Sequence, residues 1–131
     1  NHKAKGFTLI ELVIVIAILA IISAVAIPAY MNIASTARDN AARAVLGAIR
    51  ESLSISYANS ATGGGTPVYP VLAGTLFSTG VVPAEPYSSS STVNATAENP
   101  IATFSGAGGY LYNQTTGEVR INSSSVPARS F

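Results

Sequence analysis

Residues 12–27 read LVIVIAILAIISAVAI, sixteen positions in which Ser23 is the one polar side chain. The uncharged stretch is longer still, running from Leu12 to Ala37 between Glu11 and Arg38. At about 1.5 Å of rise per residue, roughly 18 such residues in a helix span about 27 Å, close to the hydrocarbon thickness of a bilayer. The segment is therefore expected to be a membrane-competent helix. Lys3 and Lys5 precede it, and no basic residue follows until Arg38, which sets its N-terminal end on the cytoplasmic side.

The helical pattern continues beyond Pro28. Ala37, Ala41, Ala44, Val45, Ala48, Ile49 and Leu53 recur at three- and four-residue steps and predict one buried face, with Asp39, Arg43, Arg50 and Ser54 toward the other. Asp39 and Arg43 form an i,i+4 pair of favourable order. Helix is expected to reach about Tyr57, which would make the run from Phe7 about 75 Å long if continuous. Pro28 has no amide to donate and crowds the carbonyl four residues back, so a kink is expected there. Gly47 is a milder weak point, and the rings of Phe7, Tyr30 and Tyr57 are too widely spaced to be read as more than packing residues.

From Asn59 the composition shifts to Gly, Pro, Ser and Thr with short apolar clusters. Residues 61–67, ATGGGTP, break the helix pattern. Residues 109–113, GYLYN, and 118–122, EVRIN, alternate around Gln114-Thr115-Thr116-Gly117, a hairpin signature with glycine where a positive φ is expected. Residues 101–104, IATF, read as a neighbouring strand, and Leu111, Val119 and Ile121 are expected to face the helix. The fold class is α+β: a long N-terminal helix, apolar then amphipathic and kinked near Pro28, packed on a small antiparallel sheet. A head of about 70 residues buries too little alone, so the helix must complete its core. Residues 88–92 read as a solvated loop. Asn94, Asn113 and Asn122 begin N-glycosylation patterns, which arise easily by accident in so Ser/Thr-rich a chain.

The remaining chemistry is sparse. The chain has 131 residues, a mean hydropathy of +0.39, 10% charged residues and a net charge of +1. No basic patch for nucleic acid is evident. With no Cys and the single His at position 2, thiol catalysis and Cys/His metal sites are excluded and histidine catalysis is hard to build. The glycines at 106, 108 and 109 lack the strand, helix and Lys context of a phosphate loop. No catalytic, metal or cofactor residue is assigned, and no enzyme activity is expected.

Three readings of the apolar helix compete: a permanent anchor, a signal peptide cut after Ala26 in the small-x-small pattern Ala24-Val25-Ala26, and a helix that leaves the membrane for a protein assembly. Glu11 weighs against the signal peptide, because a carboxylate in an apolar span costs about 2.5–3.5 kcal/mol on insertion scales and a discarded peptide gains nothing from it. Lys5-Gly6-Phe7-Thr8-Leu9-Ile10-Glu11 ahead of a long apolar run resembles the prepilin processing site of type IV pilins and of type II secretion pseudopilins.

The resemblance implies that a membrane-embedded prepilin peptidase cuts after Gly6 and methylates the new amino group of Phe7. It divides the chain into the end of a leader (1–6), an apolar membrane and filament-core helix (7–35), an amphipathic helix (36–58) and a β-rich head (59–131). Independently of the family, a carboxylate buried in an apolar bundle needs a cation, and the amino terminus of a neighbouring Phe7 is the obvious one. Glu11, Phe7 and Thr8 are thus the expected assembly residues and Pro28 the expected kink. The implied role is a major pilus subunit, held in the bacterial inner membrane and then polymerised by the assembly machinery into an extracellular filament of identical chains. A pseudopilin is the alternative within the family. Many pilins close a C-terminal loop with a disulfide, which this chain lacks, and the three late carboxylates, Glu85, Glu98 and Glu118, are few for the calcium site of many pseudopilins.

Overall fold

The computed structural model describes residues 6–124. Lys3, Lys5 and the rest of leader positions 1–5 lie outside the described residues, as do positions 125–131 of the expected head. One helix, α1 (Leu9–Thr62), is followed by a single 3-10 turn (Gly74–Leu76) and three strands, β1 (Val93–Ala95), β2 (Tyr110–Asn113) and β3 (Glu118–Ile121). The chain divides into two compact units, one ending at Thr36 and one beginning at Ala37.

In the first unit, α1 is helical through Pro28, and its large apolar side chains from Leu9 to Ile33 are all exposed. This part is rich in Ile and Val, whose branched side chains lower helix propensity in water. Hydrocarbon removes the competing solvent bonds, and a helix then satisfies every backbone group within the segment.

In the second unit, α1 buries Ala42, Leu46 and Ile49 completely and Leu53 to 1%. This face is rotated from the expected one. Ala37, Ala41, Ala44 and Ala48 are exposed and Val45 is half-buried, although Ile49 and Leu53 lie in the core as expected. Two apolar stripes overlap on this helix, and the larger Leu46 is taken into the core in preference to the alanines because it removes more apolar surface from water. The helix ends five residues beyond Tyr57, where residues 63–65 supply three glycines and Gly64 adopts φ +77°. The Ser60 hydroxyl donates to the Tyr57 carbonyl at 2.7 Å and accepts the Val68 amide at 3.2 Å, so the chain is refastened just after the glycine loop.

The α+β class holds, with a mixed rather than purely antiparallel sheet of order β1-β2-β3. β2 and β3 form the expected hairpin, in which Tyr110 pairs with Ile121 and Tyr112 with Val119. Directly opposed residues share a face, so the core face is Tyr110, Tyr112, Val119 and Ile121, and Leu111 lies on the other side opposite Arg120. The expectation that Leu111 faces the helix is out of phase by one residue. The tyrosines are accepted in the core because their hydroxyls donate to Pro83 O at 2.8 Å and Pro70 O at 2.6 Å.

The third strand is Val93–Ala95, parallel to β2, and residues 101–104 are not a strand. Their amides are occupied elsewhere: Ile101 donates to Glu118 Oε2 at 2.9 Å, and Ala102 and Thr103 donate to Glu98 Oε2 at 3.0 and 2.9 Å. A parallel pair needs a long crossover. Here residues 96–109 supply it without a helix, fastened by these carboxylates and by Asn122 Oδ1, which accepts the amides of Ser105 and Gly106 at 3.0 and 3.1 Å. Gly109 (φ +74°) is required where the crossover enters β2, since a Cβ there would strike the Thr92 carbonyl.

Residues 88–92 are mostly exposed, yet they wrap a completely buried carboxylate. Glu85 accepts the amides of Tyr87 and Ser88 at 2.6 and 2.8 Å and the Ser88 hydroxyl, while its own amide donates to Ser90 O. Asn113 and Asn122 are buried and their side-chain oxygens hold backbone amides, which removes two of the three glycosylation patterns from the surface.

Candidate processing and assembly site

The candidate site lies at the start of the first unit. Thr8 is the N-cap of α1 and Glu11 its third helical residue. The Glu11 carboxylate accepts both the Thr8 amide and the Thr8 hydroxyl through Oε2, each at 2.8 Å, and the Thr8 hydroxyl oxygen in turn accepts the Glu11 amide at 3.3 Å. The Thr8 carbonyl accepts the first helical bond, from Leu12 N. This is a capping box, which satisfies two of the orphan amides of a helix start and places a negative charge where the helix dipole favours one. The Thr-x-x-Glu spacing is a legible sequence signal for it, one that apolar periodicity leaves unread.

Both side-chain bonds use the same Glu11 oxygen, so Oε1 has no partner among the described residues. Phe7 is 87% exposed. Gly6 has no positive φ, and a Cβ built on it meets nothing within 4 Å, so the fold itself makes no demand for glycine there. Pro28 lies inside α1 and is exposed, like the residues on either side of it. Thus Gly6, Phe7, Thr8 and Glu11 are contiguous at one helix end, and Pro28 lies five turns away along the same helix.

The capped end leads into a window of 18 residues with mean hydropathy 3.0, none of it buried, which is long and apolar enough to cross a membrane by length and composition. A signal sequence can be equally long and apolar; here the span begins at a carboxylate held in a capping box.

The family model for the prokaryotic N-terminal methylation motif matches residues 1–27, the stretch that holds this cap and the first part of the apolar span. Over its first third the chain is similar to type IV pilins. It is 56% identical over 46 residues to the type IV major pilin protein PilE1 of Neisseria gonorrhoeae, a stretch covering 35% of this chain and 27% of that one. It is 67% identical over 30 residues to the prepilin peptidase-dependent protein D of Escherichia coli (23% and 20% covered) and 44% identical over 58 residues to a fimbrial protein of Moraxella nonliquefaciens (44% and 38%). The match therefore spans less than two-fifths of these curated relatives. No solved structure matches the chain.

Proposed function

We propose that the chain is the structural subunit of a type IV pilus, made as a membrane-held precursor, cut between Gly6 and Phe7 by a prepilin peptidase, methylated on the Phe7 nitrogen, and polymerised by pilus assembly machinery into an extracellular filament. The observation that carries this reading is the carboxylate at the capped start of an apolar helical span whose large side chains, from Leu9 to Ile33, are all exposed. Such a helix needs covering either by lipid or by copies of itself, and Glu11 Oε1, without a partner among the described residues, can receive a cation once the helix leaves lipid. The cation supplied by the reaction is the amino group of Phe7 on a neighbouring copy. Cleavage leaves the capping box whole, because both of its partners lie after the cut. Pro28 serves as the place where α1 opens in the packed filament, its freed carbonyls covered by neighbouring helices.

The test is the mass of the chain recovered from the producing cell surface. A species that starts at methylated Phe7, in filaments visible by electron microscopy, supports the proposal. A soluble species that starts at Ile27 would instead identify a secreted domain released by a signal peptidase. A correctly cut chain found in a secretion complex and never in surface filaments would identify a pseudopilin.

A further inference from the structure

We infer that the second unit carries a shallow binding hollow for a neutral saccharide, where the end of α1, residues 67–69 and the β2–β3 turn meet. The hollow has a volume of about 450 Å³ and is lined by Tyr57, Pro67, Val68, Tyr69, Gln114 and Thr115. It is held in shape from three sides. The rings of Tyr57 and Tyr69 stack with centroids 4.4 Å apart and planes inclined by 27°. Gln114 Nε2 donates to Tyr69 O at 3.2 Å, and the Ser60 hydroxyl oxygen accepts the Val68 amide at 3.2 Å. Gly117, at φ +74°, brings bare backbone against the Tyr69 ring, where any Cβ would collide. A site built this way loses little conformational entropy when it binds.

The chemistry of the lining selects the ligand class. Among the described residues no Asp, Glu, Lys or Arg lines the hollow, so they give it no charged side chain with which to select a charged ligand. The hydroxyls of Tyr57, Tyr69 and Thr115 and the Gln114 side-chain carbonyl have no protein partner among the described residues, and hydroxyls both donate and accept. Aromatic and proline surface beside a rim of neutral two-way hydrogen-bonding groups matches a sugar ring, which offers a C–H face and a circle of hydroxyls. The inference rests on the second unit alone and does not require the filament proposal; in a filament, repetition of the hollow would add avidity to a weak single site.

The experiment uses the full chain in a zwitterionic, sugar-free detergent. It is titrated with methyl glucoside, methyl galactoside and N-acetylglucosamine, with glucuronate as the charged comparison and phenol as the aromatic one. Saturation-transfer NMR reads contact with the ligand, and isotope-labelled tyrosine rings report where it binds. At least one neutral sugar should bind saturably and shift Tyr57 and Tyr69. Thr115→Val, on an exposed turn, should weaken that binding about three- to tenfold, the equivalent of one hydrogen bond, with unchanged thermal unfolding; Gln114→Leu, which also releases the Tyr69 carbonyl, should weaken it at least as much. Tyr69→Ala also removes packing, so the two turn variants carry the test. Absence of saturable binding by all three sugars, binding of phenol without them, equal binding of glucuronate, or affinity unmoved by both turn variants would overturn the inference.

Discussion

The Glu11 carboxylate binds Thr8 through one oxygen, and its other oxygen has no partner among the described residues. The same side chain therefore starts its own helix and retains the capacity to bind a cation from outside. In water either task is worth little; in an apolar bundle the second becomes large, because a carboxylate without a partner there is strongly unfavourable. Capping and assembly are thus separable by mutation.

Glu11→Gln keeps an oxygen acceptor for Thr8 and removes the charge, so helicity by circular dichroism should be unchanged while filaments counted by electron microscopy are lost. Thr8→Val does the converse: it weakens the cap by about 1 kcal/mol and should fray the helix start without abolishing assembly. Normal filaments from Glu11→Gln would remove the basis for the cation pairing.

Gly6 makes no contact that a side chain would disturb. A bulky substitution such as Gly6→Val should accordingly leave the fold intact and block processing, because a peptidase working at the membrane face needs close backbone approach. Intact mass measurement should find the uncut chain alone; a methylated Phe7 terminus in this variant would refute the assignment.

The rotated core face of α1 has a direct thermodynamic test. Leu46→Ala opens a cavity under the sheet and should destabilise the second unit by about 2–5 kcal/mol in urea unfolding of the full chain. Ala44→Ser, on the face expected to be buried but found exposed, should change stability by less than about 0.5 kcal/mol. Comparable losses from both would place the core on the other stripe.

Acid should loosen the crossover between β1 and β2. Hydrogen bonds from the Thr103 side chain and amide and from the Ala102 amide hold Glu98 below the usual carboxylate range. Burial pushes Glu118 up, but the Arg120 hydrogen bond, the Ile101 amide and the charges of Arg120 and Arg50 outweigh it and bring the group below its ordinary value. A lowered folded pKa contributes stability that is present above the unfolded value, about 4.3 for Glu, and is lost as pH falls through the folded value. Unfolding midpoints should therefore drop below about pH 4. Glu98→Gln should make that acid limb shallower, and an unaltered limb would show that the crossover does not depend on this carboxylate.

The parts of the fold legible in the sequence are those set by short-range pattern. The apolar run, the hairpin and the positive φ of Gly117 follow from neighbours a few residues apart. What was not legible depends on competition at long range. Periodicity marks two stripes on α1 without weighing Leu46 against alanine. The alternation in β2 fits either phase until Tyr112 is seen opposite Val119 and its hydroxyl on Pro70. Residues 101–104 look like a strand because their side chains do, and only the position of Glu98 and Glu118 shows that their amides are already engaged. The capping box was readable at residues 8–11 by a different rule from the one that finds the apolar helix.

The ties that Glu98, Glu118 and Asn122 make to residues 101–106 have a consequence for how the head matures. Where a cystine closes a loop, folding waits for an oxidant and a reductant can undo it. Among the described residues every tie here is non-covalent, so this crossover can close in any compartment, whatever its thiol balance. It can also open and reclose any number of times without chemical repair.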